Sequence, residues 1–280
     1  MLPATICSNC CNATVNALYP GNVAALNCLH AAFSAGSFLF PLLLTAFTHY
    51  SPRNWVFACI LMAALGCLSI LLFAICFNDY SKRQKKEDSS HKAKAHGFLK
   101  EQVFWAITAT LFFYLCAEQG VIGWMVTYFT DTGYISEELS QLTASILWIM
   151  VLLGRLCTAY LSEKLDKRKL LPFMGLGFAL FFTILLFVRS TVGIVVLVMC
   201  IGFFLAGVFP TTLSFSAPIV SRYPLSLSYI LTIAGAGAVI MPTVIGYVAR
   251  RAGIVWGIGT VIFAVLIDFV CIIRLCALNK

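Results

Sequence analysis

Charge is what this sequence lacks. Only 11 of its 280 residues are Asp or Glu, and 11% are charged against 61% hydrophobic, with a mean hydropathy of +0.94. Soluble domains run near a quarter charged, so a water-soluble globular fold is excluded. Strict alternation over ten-residue segments is missing too, which argues against a transmembrane β-barrel. The N-terminus carries neither a basic n-region nor a small-residue cleavage site and does not read as a signal peptide. Within the apolar runs there is no Ser/His pair, His-Glu-x-x-His motif or paired-Asp constellation, so an intramembrane enzyme is not expected.

Metal chemistry is equally thinly supported. Of the twelve cysteines, most lie singly inside apolar runs (Cys28, Cys59, Cys67, Cys116, Cys200, Cys271), where they act as small packing residues. Cys7, Cys10 and Cys11 form the only cluster, and no second pair or His-x₃-His accompanies it at a zinc spacing. No cofactor is expected.

What the chain does contain is long apolar runs. Eight are full spans, at 23–47, 55–77, 103–129, 140–162, 170–188, 192–215, 225–249 and 254–276, and residues 2–18 resemble a ninth, incomplete one. About 20 apolar residues cross the hydrocarbon core as a helix. Backbone groups in lipid must pair within the segment, so the fold class is an all-α polytopic membrane protein.

The net charge of +8 is not a nucleic-acid signal, because it is concentrated in two loops. One holds Lys82, Arg83, Lys85, Lys86, Lys92, Lys94 and Lys100. The other, after the fourth full span, holds Lys164, Lys167, Arg168 and Lys169. Together with Arg274 and Lys280 they share one face, against Arg53, Arg189, Arg250 and Arg251 on the other. The positive-inside rule makes the first face cytoplasmic, with the C-terminus inside, in a multi-pass protein of the cell membrane. The lipid bilayer is then its constant partner, and the basic loop reads as a solvated linker with possible contact to anionic headgroups.

Three regions follow. Residues 1–77 hold two full spans and a fragment, residues 78–101 form a hydrophilic basic linker, and residues 102–280 hold six closely spaced spans. Six spans with both ends on one side make half of a twelve-helix carrier, itself built of three-helix repeats. Gly202, Gly207 and Pro210 in one span, and Gly235, Gly237 and Pro242 in the next, are the texture of close-packed, broken helices that line cavities.

Polar residues inside the spans are the candidate site. Glu118 lies in the middle of an apolar stretch, where a carboxylate costs a few kcal/mol even on lenient scales and usually faces a pathway or an ion. Tyr114 stands one turn before it, and Trp124, Met125 and Tyr128 follow. Such a carboxylate beside aromatic rings suits sugar hydroxyls, a coupling proton or a sodium ion; a hydrogen bond between helices is the plainer alternative. Asn9, Asn12 and Asn16 share one helical face by their spacing, and Asn27, His30 and Ser34 repeat it in the next helix. Two such stripes fit a shared polar cavity better than isolated bridges between helices. Asp268 has no stripe and reads as a packing or pairing residue. Arg155 is expected near the cytoplasmic end, snorkelling outward, within a gating cluster with Glu163, Lys164 and Asp166.

Four segments also carry a resemblance. LNCLHAAFSAGSFLFPLL (26–43) resembles the L-N-x-x-H-x-x-F-x-x-G-x-x-x-x-P-L-L segment of the fucose permease-like branch of the major facilitator superfamily. YLCAEQGVIGWMVTYF (114–129) is similar to that branch's seventh helix, LWIMVLLGRLCTAYLSEK (147–164) to its eighth, and GVFPTTLS (207–214) to its tenth. The segments occur in the family's order. The resemblance implies a partial major facilitator fold, helices five to twelve with the end of helix four, and cation-coupled (H+ or Na+) uptake of a sugar by alternating access in a monomer. It puts the seventh-helix acid on Glu118 and the fifth-helix His on His30. The residue pattern itself adds Asn27, Asn12, Tyr114 and Trp124 as expected contacts around the solute and Arg155 as part of the inner gate. The fourth-helix acid of many members stands here as Asn12, and helices one to three have no counterpart. An exporter of drugs or metabolites, and a truncated remnant that transports nothing, are the alternatives.

Overall fold

The computed structural model describes residues 2–84 and 97–279. These form α1 (Leu2–Leu18), α2 (Val23–Tyr50), α3 (Trp55–Gln84), α4 (Gln102–Thr132), α5 (Glu137–Ser162), α6 (Lys167–Leu185), α7 (Thr191–Ala206), α8 (Val208–Ser214), α9 (Ala217–Arg222), α10 (Ser226–Ala252), α11 (Ile254–Gly259) and α12 (Val261–Leu278). Among the described residues, eight helical stretches are long and apolar enough to cross a membrane, with α7–α9 and α11–α12 each counting as one. They fall on the eight runs read from the sequence. Of the hydrophilic segment 78–101, residues 78–84 continue α3 as helix, while residues 85–96, with Lys85, Lys86, Lys92 and Lys94, lie outside the described residues.

Two compact units are present, one of Met1–Ala35 with His96–Lys280 and one of Gly36–Ala95. In the smaller unit, α3 turns large apolar side chains such as Phe57, Ile60 and Ile70 outward, as a helix facing hydrocarbon does. In the larger unit, α4 is the central element, packed against α10 and α12, while α5 packs on α7 and α6 on both α7 and α12. Phe104, Ile107, Leu111, Ala117, Val121 and Phe129 give α4 its buried face. Small residues permit the approach. A Cβ at Gly237 of α10 would overlap the Phe112 carbonyl of α4, so only glycine fits there.

Local chemistry sets the helix ends. Ser136 accepts a hydrogen bond from Leu139 N at 3.3 Å, Asp166 from Arg168 N at 2.9 Å and Ser190 from Gly193 N at 3.3 Å, capping α5, α6 and α7. The break between α7 and α8 has a different origin. Pro210 has no N–H, so the carbonyl of Ala206, four residues earlier, loses its helical donor. The chain breaks at Gly207, and that carbonyl becomes available to a side chain from another helix.

Candidate functional site

The site begins with two α4 residues one turn apart. The Tyr114 hydroxyl donates to Glu118 Oε1 at 2.8 Å and also lies 3.2 Å from the Leu205 carbonyl at the end of α7. Tyr114 is fully buried and Glu118 is 9% exposed. Across from them, α5 supplies Arg155, 3% exposed, whose Nη2 stands 4.0 Å from Glu118 Oε1. A guanidinium so far from water depends on acceptors supplied by the protein. Its Nε donates to the Ala206 carbonyl at 3.4 Å, the group released by Pro210, and its Nη1 donates to the His30 carbonyl at 2.7 Å and to Ser34 Oγ.

The two polar stripes complete the arrangement. His30 Nε2 donates to Asn12 Oδ1 at 3.0 Å, which leaves Nδ1 as the bare ring nitrogen. Phe209 of α8 joins the groups, its ring 5.1 Å from His30 and 6.0 Å from Tyr114. Residues from α1, α2, α4, α5, α7 and α8 therefore converge on one carboxylate and one guanidinium.

The geometry leaves specific positions unclaimed. At 4.0 Å the ion pair is open, too long for a direct hydrogen bond. Among the described residues, neither Arg155 Nη2 nor Glu118 Oε2 makes a hydrogen bond. One donor and one acceptor thus stand side by side in an apolar setting, with the two charges cancelling. A hydroxyl group donates and accepts at once and satisfies both.

Several residues take positions other than those expected from sequence. Arg155 does not snorkel: Glu118 and three oxygen acceptors inside the helices hold it, which is the physical reason it stays buried. Of its expected cluster, Asp166 pairs instead with Arg168, and Lys164 donates to Tyr160 at 2.5 Å. Trp124 packs against Gly246 of α10, away from the carboxylate. Asn27 is fully buried and donates to its own helix at the Val23 carbonyl, 2.9 Å away, so it does not join the cluster. Asp268 is 1% exposed, and its Oδ1 has no hydrogen-bond partner. Sequence reasoning missed Phe209 and the carbonyls of Leu205 and Ala206. The Pro in GVFPTTLS was their available signal. Among the described residues, no three His, Cys, Asp or Glu side chains gather as a metal site would need.

Among the described residues, eight membrane-length helices, together with a buried, polar, charge-balanced site within the larger unit, define a polytopic membrane protein. A family model described as Major Facilitator Superfamily matches residues 5–220. The chain therefore belongs to the Major Facilitator Superfamily. It is 25% identical over 205 residues to the Major facilitator superfamily domain-containing protein 4A of Xenopus tropicalis, covering 63% of this chain and 39% of that protein. It is 27% identical over 173 residues to the Cis,cis-muconate transport protein of Acinetobacter baylyi, with 60% and 40% covered. With the Glucose/mannose transporter GlcP of Bacillus subtilis it shares 22% identity over 280 residues, with 93% and 67% covered. The chain thus spans about two fifths of the length of the first two relatives and about two thirds of the third. A crystal structure of the Major Facilitator Superfamily transporter FucP in the outward conformation superposes with a TM-score of 0.73 at 15% identity, over 95% of this chain and 72% of that one. That likeness establishes the fold.

Proposed function

We propose that the protein moves a small hydroxyl-rich solute, a monosaccharide, across the cell membrane by cation-coupled symport with alternating access. One observation carries this reading: the open Glu118–Arg155 pair, with its unclaimed donor and acceptor. A sugar hydroxyl bridges the two, while Tyr114 and Phe209 offer ring faces, and His30 and Asn12 form the wall toward α1 and α2. Because the pair is charge-balanced, a neutral solute enters without leaving a bare charge in low dielectric. A carboxylate solute, as the name of the Acinetobacter relative indicates for that protein, is disfavoured here, because Glu118 already neutralises the guanidinium. The glucose and mannose in the name of the Bacillus relative agree with a hexose.

In this reading Glu118 is the solute or cation site, taking a proton or lying beside Na+, with Asn12, His30 and Tyr114 beside it. Arg155 is a gate residue, since it ties α5 to α2 through the His30 carbonyl and Ser34. Residues 1–77 belong to the first half of the carrier, 78–101 to a cytoplasmic linker and 102–280 to the second half, with the C-terminus inside and the protein acting as a monomer. The test is uptake by the full-length protein in proteoliposomes, using a panel of labelled monosaccharides with imposed H+ or Na+ gradients. Gradient-driven accumulation of a hexose supports the reading. Efflux of apolar drugs without sugar uptake favours an exporter, and no flux of any solute favours a remnant.

A further inference from the structure

The two partners of the ion pair reach the same turn of α7. Arg155 Nε donates to the Ala206 carbonyl at 3.4 Å. The Tyr114 hydroxyl, which donates to Glu118 Oε1 at 2.8 Å, lies 3.2 Å from the Leu205 carbonyl. Glu118 and Arg155 are thus tied to two successive carbonyls, one through Tyr114 and the other directly. Both carbonyls stand just before the break at Gly207, and Phe209 of the site follows just after it. Tyr114, Leu205 and Ala206 are fully buried, so the protein itself supplies the acceptors for the hydroxyl.

A tyrosine hydroxyl has one hydrogen, and here it has two acceptors. A carboxylate is the stronger of them, because charge-assisted hydrogen bonds are shorter and roughly twice as strong as neutral ones. The distances, 2.8 Å to Glu118 against 3.2 Å to Leu205, fit a hydrogen held by charge. Protonation removes that advantage. A protonated Glu118 becomes a donor, its O–H turns to the phenolic oxygen, and the tyrosine hydrogen is left with the Leu205 carbonyl. The arriving proton stays on the carboxyl, and the phenol O–H only rotates about its C–O bond. Arg155 meanwhile loses its counter-charge and keeps its neutral acceptors, Ala206 among them. Both donors then rest on the last turn of α7.

Few other charges bear on this pair. Among the described residues, the other buried charged side chains are Arg155 on α5 and Asp268 on α12, and Asp268 acts on Tyr114 through its charge. Neither α8 nor α11 carries a titratable side chain, and Tyr229, Tyr247, Arg250 and Arg251 of α10 are exposed. His30 of α2 packs on the Phe209 ring that Tyr114 also meets. We infer that Tyr114 is the positioning residue that passes the charge state of Glu118 to the α7–α8 break. Its hydroxyl donates to the charged carboxylate and turns to the Leu205 carbonyl once that carboxyl is protonated. The inference rests on the reading of Glu118 as a site that takes a proton. A tyrosine that only packed α4 against α7 would keep one hydrogen bond at every pH.

The test is infrared difference spectroscopy of the full-length protein in lipid on acidification, with its tyrosines labelled with carbon-13 at Cζ to assign their C–O stretch. In the parent a tyrosine C–O band is expected to shift, with the same midpoint as the carboxyl C=O band that Glu118→Gln removes. Glu118→Gln loses the tyrosine shift as well. Tyr114→Phe loses the tyrosine shift while the carboxyl band moves, because that carboxyl has lost its partner. Asp268→Asn keeps the tyrosine shift. Should Tyr114→Phe not fold, the parent, Glu118→Gln and Asp268→Asn carry the test. Tyrosine bands that stay still in the parent overturn the inference, as does a shift that survives in Glu118→Gln or vanishes in Asp268→Asn. A shift in a protein that moves no hexose sustains the switch and places the failure with the sugar reading. Hexose accumulation without the shift overturns the switch and leaves that reading standing.

Discussion

Two acids are buried within the larger unit, and they differ in almost everything except burial. Glu118 on α4 accepts from Tyr114 at 2.8 Å and faces Arg155 at 4.0 Å, in a cluster that draws on helices from α1 to α8. Asp268 on α12 is 1% exposed, with its Oδ1 unpartnered. Both looked anomalous in the sequence for the same reason, a carboxyl in an apolar span. The difference shows that burial of an acid does not by itself make a site. A site needs a counter-charge, acceptors released by a broken helix and an unclaimed valence for a ligand; Asp268 has the last alone, and of the two acids only Glu118 combines all three.

That contrast can be broken by substitution. The largest effect is expected at Arg155. Arg155→Ala leaves the Glu118 carboxylate buried beside two freed backbone carbonyls, and such changes cost about 3 kcal/mol or more. A fall in thermal unfolding temperature in detergent, together with lost uptake, is expected. Adding Glu118→Gln recovers much of the stability but none of the uptake, because the double variant removes the stranded charge. Next in size, Gly237→Ala pushes against the Phe112 carbonyl where α10 meets α4, and overpacking of this kind costs about 1–3 kcal/mol. Here stability falls while the sugar selectivity of the remaining uptake is unchanged.

Asp268→Asn should leave uptake near that of the parent, since Asp268 Oδ1 has no hydrogen-bond partner to lose. If it abolished uptake, the contrast between the two acids would fail. The smallest effect lies outside the membrane. Hydrogen bonds from the Arg168 side chain and then its backbone N–H hold the Asp166 carboxyl below its ordinary value of 3.8. A depressed folded-state value means that this cap stabilises α6 above the ordinary carboxylate range and is lost as pH falls through the lowered value. Amide exchange at Lys169 and Leu170 should therefore speed up only in strong acid, and Asp166→Asn should remove that pH step.

Much of this was legible in the sequence because lipid imposes one rule, that backbone groups pair within a helix, and apolar run length then reports each span. Glu118, Tyr114 and the stripes at Asn12, His30 and Ser34 were found by the same logic, since polar residues at helical spacing stand out in apolar runs. Arg155 was placed wrongly because sequence distance from the helix end suggested snorkelling, whereas its depth is set by Glu118, a residue 37 positions earlier. Phe209 is an aromatic in an apolar span, with no polar atom to set it apart. Trp124 shares a helix with Glu118 but points toward Gly246, a choice made by the packing of α4 on α10. Backbone acceptors such as the Ala206 carbonyl have no side-chain signature, and only Pro210 four residues later hinted at one.

The central claim is that Glu118 works in transport and Asp268 does not. The direct measurement is paired, with gradient-driven accumulation and solute counterflow in proteoliposomes for the full-length protein, Glu118→Gln and Asp268→Asn. The expected result is lost accumulation in Glu118→Gln, with counterflow retained if the residue carries the coupling ion and lost if it binds the solute, while Asp268→Asn behaves as the parent. Unchanged accumulation in Glu118→Gln would contradict the account.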